Sequence, residues 1–146
     1  SVGECLLQIA CENEHDSTVQ PLLSFGCPLY IASEYGYDSI IHKLLNSGAD
    51  VNLSKIARQS PLHAACKNGH DSSVQQLLNS GADVNLINKF GRSPLYMACK
   101  NGHNSVVQLL LNKGADVNLY DTFENSPLFI ARRNGHESIA QICQKW

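Results

Sequence analysis

The chain is poor in charge and in aromatic residues. Lys, Arg, Asp and Glu make up 16% of its 146 residues, Phe, Tyr and Trp 7%, and the formal net charge is -2. A sequence pI near 6.3 goes with that balance. Non-specific nucleic-acid or membrane-surface binding depends on a basic excess, so neither is expected. No apolar run approaches the roughly 18 residues of a membrane helix, and no basic-then-apolar leader opens the sequence. The first residue, Ser1, reads as the start of a piece of a longer protein. There is no phosphate-cradling Gly-rich loop, no Gly-x-Ser-x-Gly and no carboxylate pair in an evident pocket, so no catalytic residue and no cofactor is expected. What remains is 43% hydrophobic residues, enough for a globular core.

The dominant positive signal is internal repetition. Ser60-Pro61-Leu62, Ser93-Pro94-Leu95 and Ser126-Pro127-Leu128 recur every 33 residues, and Cys27-Pro28-Leu29 lies 33 before the first of them. Each triplet leads into an Ala-rich stretch, then Gly-His or a variant, an apolar segment and Gly-Ala-Asp-Val-Asn. The stretches 65–70 and 98–103 both read Ala-Cys-Lys-Asn-Gly-His. The serines are good N-caps and the prolines suit the first helical position. Gly69, Gly102 and Gly135 fit tight turns between paired helices. Val106, Val107, Leu109, Leu110 and Leu111 form an apolar seam on the second helix. Gly48, Gly81 and Gly114 end such helices. A helix pair cannot bury its apolar face alone, so successive pairs must stack.

This pattern resembles the ankyrin repeat, whose first helix opens on Thr-Pro-Leu-His-x-Ala with a 33-residue period. Ser60-Pro61-Leu62-His63-Ala64-Ala65 is the nearest copy; Tyr30, Tyr96 and Phe129 replace His63 elsewhere. The resemblance implies an all-α solenoid of stacked helix-turn-helix units with short hairpin fingers. We expect one domain over 1–146: a degenerate repeat at 3–26, repeats at 27–59, 60–92 and 93–125, and a C-terminal cap at 126–146. Arg132 at a buried Ala/Cys position and Gln144 at a Leu position give that cap its polar face. The N-terminal end lacks such polarity, so further repeats are expected before Ser1. Pro21 falls inside the second helix of the first repeat, where it should kink it.

Cys5 to Cys27 is 22 residues, 11 short of the period. The next first helix lies roughly 8–10 Å away, whereas one peptide link spans about 3.8 Å. We therefore expect about 11 residues to be missing between Gly26 and Cys27; a true deletion with a rearranged junction is the rival reading.

Three Cys-x-x-x-His pairs, Cys11/His15, Cys66/His70 and Cys99/His103, follow from the repeat. A zinc site needs four converging ligands, so no metal site is expected. Cys11, Cys66 and Cys99 share one repeated position and read as buried thiols of a cytoplasmic or nuclear protein. Asn52, Asn85 and Asn118, each with a Leu eight residues earlier, look like the ankyrin positions that asparaginyl hydroxylases modify. Their plainer role is a turn asparagine bonded to its own loop.

The resemblance also implies a protein partner on the finger tips and concave face, with function as an adaptor, scaffold or substrate-receptor module. A regulatory or targeting domain of a larger enzyme and a spacer without a site are the alternatives. The pairs before the turn glycines run Glu12-Asn13, Glu34-Tyr35, Lys67-Asn68, Lys100-Asn101 and Arg133-Asn134, turning from acidic to basic. Arg58, Lys89 and Arg92 add finger cations, Phe90 and Phe123 aromatic anchors, and Met97 a soft apolar contact; Tyr35 lies at the acidic end. We expect an acidic peptide with large apolar side chains across the last three repeats of a monomer. Lys55, Arg58 and Glu124 depart from the usual Asp-first, Gly-fourth finger.

Overall fold

The computed structural model describes residues 28–54 and 57–146. The degenerate first repeat, the Pro21 kink and the Gly26–Cys27 junction lie outside the described residues, as does Lys55. Eight helices follow in order: α1 (Pro28–Tyr35), α2 (Asp38–Asn46), α3 (Pro61–Asn68), α4 (Asp71–Asn79), α5 (Pro94–Asn101), α6 (Asn104–Asn112), α7 (Pro127–Arg133) and α8 (Glu137–Gln144). Each odd helix pairs with the even helix after it. The odd helices stack in one row, α1 on α3 on α5 on α7, and the even helices in a second.

Local chemistry explains the starts of α3, α5 and α7. Ser60, Ser93 and Ser126 sit in extended backbone, and their hydroxyls accept from the amides of His63, Tyr96 and Phe129 at 3.4, 3.1 and 3.0 Å. Proline follows in all three, where its missing N–H costs nothing. At the second helices the seam sorts as its period requires: Val106, Val107, Leu110 and Leu111 are buried and Leu109 is only partly so. The core is one continuous layer running from Leu29 to Cys143. Truncating a fully buried leucine such as Leu77 or Leu110 costs about 2–5 kcal/mol.

Polar bonds fasten one repeat to the next. The Nε2–H groups of His70, His103 and His136 donate to the carbonyls of Glu34, Lys67 and Lys100 at 2.9, 2.8 and 3.2 Å. Each ring lies on the turn glycine of the preceding repeat. At Gly69 (φ +72°) an added Cβ would stand 2.5 Å from the His103 Nδ1. The Cys66/His70 and Cys99/His103 pairs thus separate, the thiol facing the core and the imidazole a neighbouring carbonyl, while Cys11/His15 lies outside the described residues.

A second fastening corrects the expected role of the Val-Asn asparagines. The own-loop bond is made by Asp50, Asp83 and Asp116, whose Oδ1 atoms accept from the amides of Asn52, Asn85 and Asn118. The side chains of Asn52 and Asn85 instead reach the next repeat, where their Oδ1 atoms accept from the amides of Asp83 and Asp116, both at 2.8 Å.

The fingers close as tight turns; no strand is assigned among the described residues. The Asn88 and Asp121 amides donate to the carbonyls of Arg92 and Asn125, each at 3.0 Å. Adjacent fingers join edge to edge, Lys89 N–H to the Ala57 carbonyl and Thr122 N–H to the Phe90 carbonyl. Arg58 and Glu124 stand where Gly91 stands in the middle finger and adopt the same left-handed backbone, φ 56° and 63° against 73°. The departures from the glycine pattern therefore keep the turn and carry backbone strain in it. In the last repeat Arg132 and Gln144 face solvent, while Phe129, at Tyr96's position, is half exposed.

Candidate functional site

The concave side between the last two repeats holds a cavity of about 550 Å³. Three cations expected from the sequence, Arg92, Lys100 and Arg133, line it together with Phe123. Lys100 and Arg133 are equivalent residues near the ends of α5 and α7, one repeat apart. Arg92 arrives from the preceding finger, immediately before the Ser93 cap. Lys89 and Phe90 lie beside them at the finger tip, with the Lys89 ammonium 4.9 Å above the Phe90 ring.

Asp121 organises this region and was missed as a site residue; its position, first in the finger, was the available signal. The carboxylate is buried. It accepts the Tyr96 hydroxyl at 2.9 Å, the amides of Phe123 and Asn125 at 2.9 Å each, and the Asn125 side-chain amide at 3.1 Å to both oxygens. Burial pushes its pKa upward, but the bonds from Asn125, Tyr96 and Phe123 outweigh that and hold the carboxyl below its ordinary value. Burial, followed by the Asp121 hydrogen bond, raises the Tyr96 phenol. Asn88 does for the middle finger what Asp121 does here, its Oδ1 accepting the amides of Phe90 and Arg92.

Arg92 is held between two aromatic faces. Its guanidinium lies 5.2 Å from the Phe90 ring centre and 5.4 Å from that of Tyr96. Its Nε is 3.9 Å from Asp121 Oδ2, a long contact, and makes no hydrogen bond. The head group is therefore positioned by aromatic faces and one distant charge, its buried Nε left unpaired.

The remaining candidates lie elsewhere. Met97 is 6% exposed and packs in the core, so its side chain is not presented to a partner; α5 is packed between the first helices of the neighbouring repeats. Lys67 and Arg58 are exposed but do not line this cavity. Tyr35 stacks on Tyr37, ring centres 5.7 Å apart, at the first described repeat. Phe123 is 73% exposed, the most open large apolar residue described. Tyr96 and Ile130, unforeseen, also line the cavity, with Asp121, Asn125 and Asn134. Of the three asparagines, Asn118 is exposed and its side-chain amide has no hydrogen-bond partner among the described residues, whereas the side-chain amides of Asn52 and Asn85 are bonded.

His63 is buried and bonded through both nitrogens. Nδ1 accepts the Ser60 amide at 3.1 Å, so the proton sits on Nε2, which donates to the Arg92 carbonyl at 2.9 Å. Burial lowers its pKa despite that carbonyl. The neutral ring ties the N-terminus of α3 to the finger that carries Arg92.

Stacked helix pairs with a repeating cap, a repeating turn and a concave face define a solenoid of helical repeats. A family model described as ankyrin repeats (3 copies) matches residues 29–121 and again residues 62–144, and the chain belongs to the ankyrin repeat family. A search of curated proteins returned no match. Ankyrin repeats are generally protein–protein interaction modules, typically without catalytic activity, and imply a protein partner for this chain. Among the described residues, no helix is long and apolar enough to cross a membrane.

Proposed function

We propose that this chain is a non-catalytic adaptor or receptor module whose concave groove between the last two repeats takes an acidic peptide segment with a large apolar side chain. The observation that carries this reading is the convergence of Arg92, Lys100 and Arg133 on one cavity whose only carboxylate, Asp121, already accepts four donor groups from the protein. A peptide carboxylate meets the cationic groups that Arg92, Lys100 and Arg133 bring to this cavity. Phe123 offers its ring as the apolar contact. The working form is a cytoplasmic or nuclear monomer that needs no cofactor.

The test is fluorescence anisotropy with a library of acidic, neutral and basic peptides, each with and without aromatic residues. Acidic aromatic peptides should bind best, weaken with salt, and lose at least tenfold in affinity on Lys100→Glu with Arg133→Glu in a protein of unchanged helicity. Binding that ignores both charge reversals refutes the groove.

Asn118 is, on this reading, the asparagine open to hydroxylation, because its side-chain amide is not committed to a neighbour. Treatment with an asparaginyl hydroxylase should add one oxygen there ahead of Asn52 and Asn85, as peptide mass mapping would show; preferential modification of Asn52 would refute it.

A further inference from the structure

The 33-residue register places Cys143 at the position that Leu44, Leu77 and Leu110 occupy in the earlier repeats. A thiol there replaces the largest apolar plug of the second helix. It faces α5, where Cys99 is buried, and the two sulfurs lie 3.8 Å apart. Cys66, Cys99 and Cys143 are all unpaired. Cys66 has no such partner, because α6 offers Leu110 where α8 offers Cys143.

Access separates the two thiols. Cys99 is fully enclosed, whereas Cys143 lines a cavity of about 340 Å³ at the C-terminal end of the stack, beside Ser126 and Trp146. Their shared hydrogen bond also separates them. That bond lowers the Cys143 pKa, and it combines with burial to raise that of Cys99. The member that lines the cavity is therefore the better thiolate and the fully enclosed member its reserve.

We propose that Cys99 and Cys143 are an oxidisable pair, closed to a disulfide between α5 and α8 by a small disulfide oxidant such as oxidised glutathione. The Cys143 thiolate attacks one glutathione sulfur, forming a mixed disulfide and releasing the first glutathione thiolate. The Cys99 sulfur, after giving up its proton, attacks the Cys143 sulfur and expels the second. Two protein thiols lose two electrons and their protons, and one oxidised glutathione becomes two reduced ones. The sulfurs need only close from 3.8 Å to about 2.05 Å. The bond would anchor the last helix to the residue next to Lys100, so the oxidising state fastens the final repeat at the groove.

The folded chain is incubated with oxidised glutathione, quenched in acid, alkylated and digested with trypsin. The expected product is a cross-link between the peptides Ser93–Lys100 and Asn134–Lys145, with a raised thermal midpoint that reverts on reduction. Cys143→Leu, which restores the residue of the other repeats, should fold and abolish the cross-link; Cys66→Ala should leave it intact. Full alkylation of both cysteines after oxidant, arrest at a Cys143–glutathione mixed disulfide, or pairing of Cys99 with Cys66 would each overturn the proposal.

Discussion

Replacing Asp121 with alanine tests the site's construction most directly. The carboxylate accepts from four donor groups: the Tyr96 hydroxyl, the amides of Phe123 and Asn125, and the Asn125 side chain. Tyr96 is 1% exposed, so its hydroxyl cannot turn to water; an orphaned buried donor costs about 1–3 kcal/mol. The two turn amides are only partly buried and regain water, leaving about 0.5–1 kcal/mol each. Asp121→Ala should therefore destabilise by about 2–4 kcal/mol in urea unfolding followed by far-UV circular dichroism. Asp121→Asn should cost less, because Asn88 already closes the equivalent turn with an amide oxygen. Tyr96→Phe should cost about 1 kcal/mol in the native sequence and almost nothing in the Asp121→Ala background. Because the folded-state pKa of Asp121 is depressed, its stabilisation is complete above the unfolded carboxylate value, about 3.9. It is lost as pH falls through the lower folded value, so the gap between wild type and Asp121→Ala should close in that acid window. A cost within about 0.5 kcal/mol at neutral pH, the range of an ordinary surface change, would refute the account of Asp121 as the organising acceptor.

Further tests address backbone and protonation. Gly69→Ala and Gly81→Ala impose similar strain at φ +72° and +87°, but only the first drives a Cβ into an imidazole. Gly81→Ala should cost about 1 kcal/mol and Gly69→Ala about 2–4 kcal/mol; equal thermal shifts would discount the His103 contact. Glu124→Gly should relieve about 1–2 kcal/mol of left-handed strain against about 0.5–1 kcal/mol of added unfolded-state entropy, a small net gain measured by chemical denaturation. His63, with its folded-state pKa lowered, binds its proton more readily unfolded, so its contribution is full above about 6.5 and declines as pH drops from there toward the folded value. His63→Gln should flatten that part of the stability–pH curve, and an unchanged slope would point to other groups.

Most of the fold was legible because each repeat states the same local rules. Ser-Pro at 60–61, 93–94 and 126–127 marks a cap and a first turn by chemistry that needs no partner. The core seam follows from helical periodicity. The misreadings fall where a side chain's partner belongs to another repeat. Met97 reads as an available apolar contact in its own helix, yet the stack takes it into the core. Asn52 and Asn85 read as turn residues, yet their amides serve the following turn. The charged groove was legible as a set of residues, since Lys100 and Arg133 share a register. Asp121 was not, because its value as an acceptor depends on a tyrosine 25 residues earlier. Cys143 reads as a plain Cys-for-Leu exchange until α8 is set against α5.

The bonds that fasten neighbouring repeats have a temporal consequence. The Tyr96–Asp121 bond spans 25 residues, the asparagine clasps 31 and the imidazole bonds 36. As the chain leaves the ribosome, each of these partners is available once about one more repeat has been synthesised. The stack can then grow by accretion, each new pair of helices docking on a finished surface and none waiting for a distant segment. A lesion in one repeat would stall the assembly of those after it and leave those before it standing.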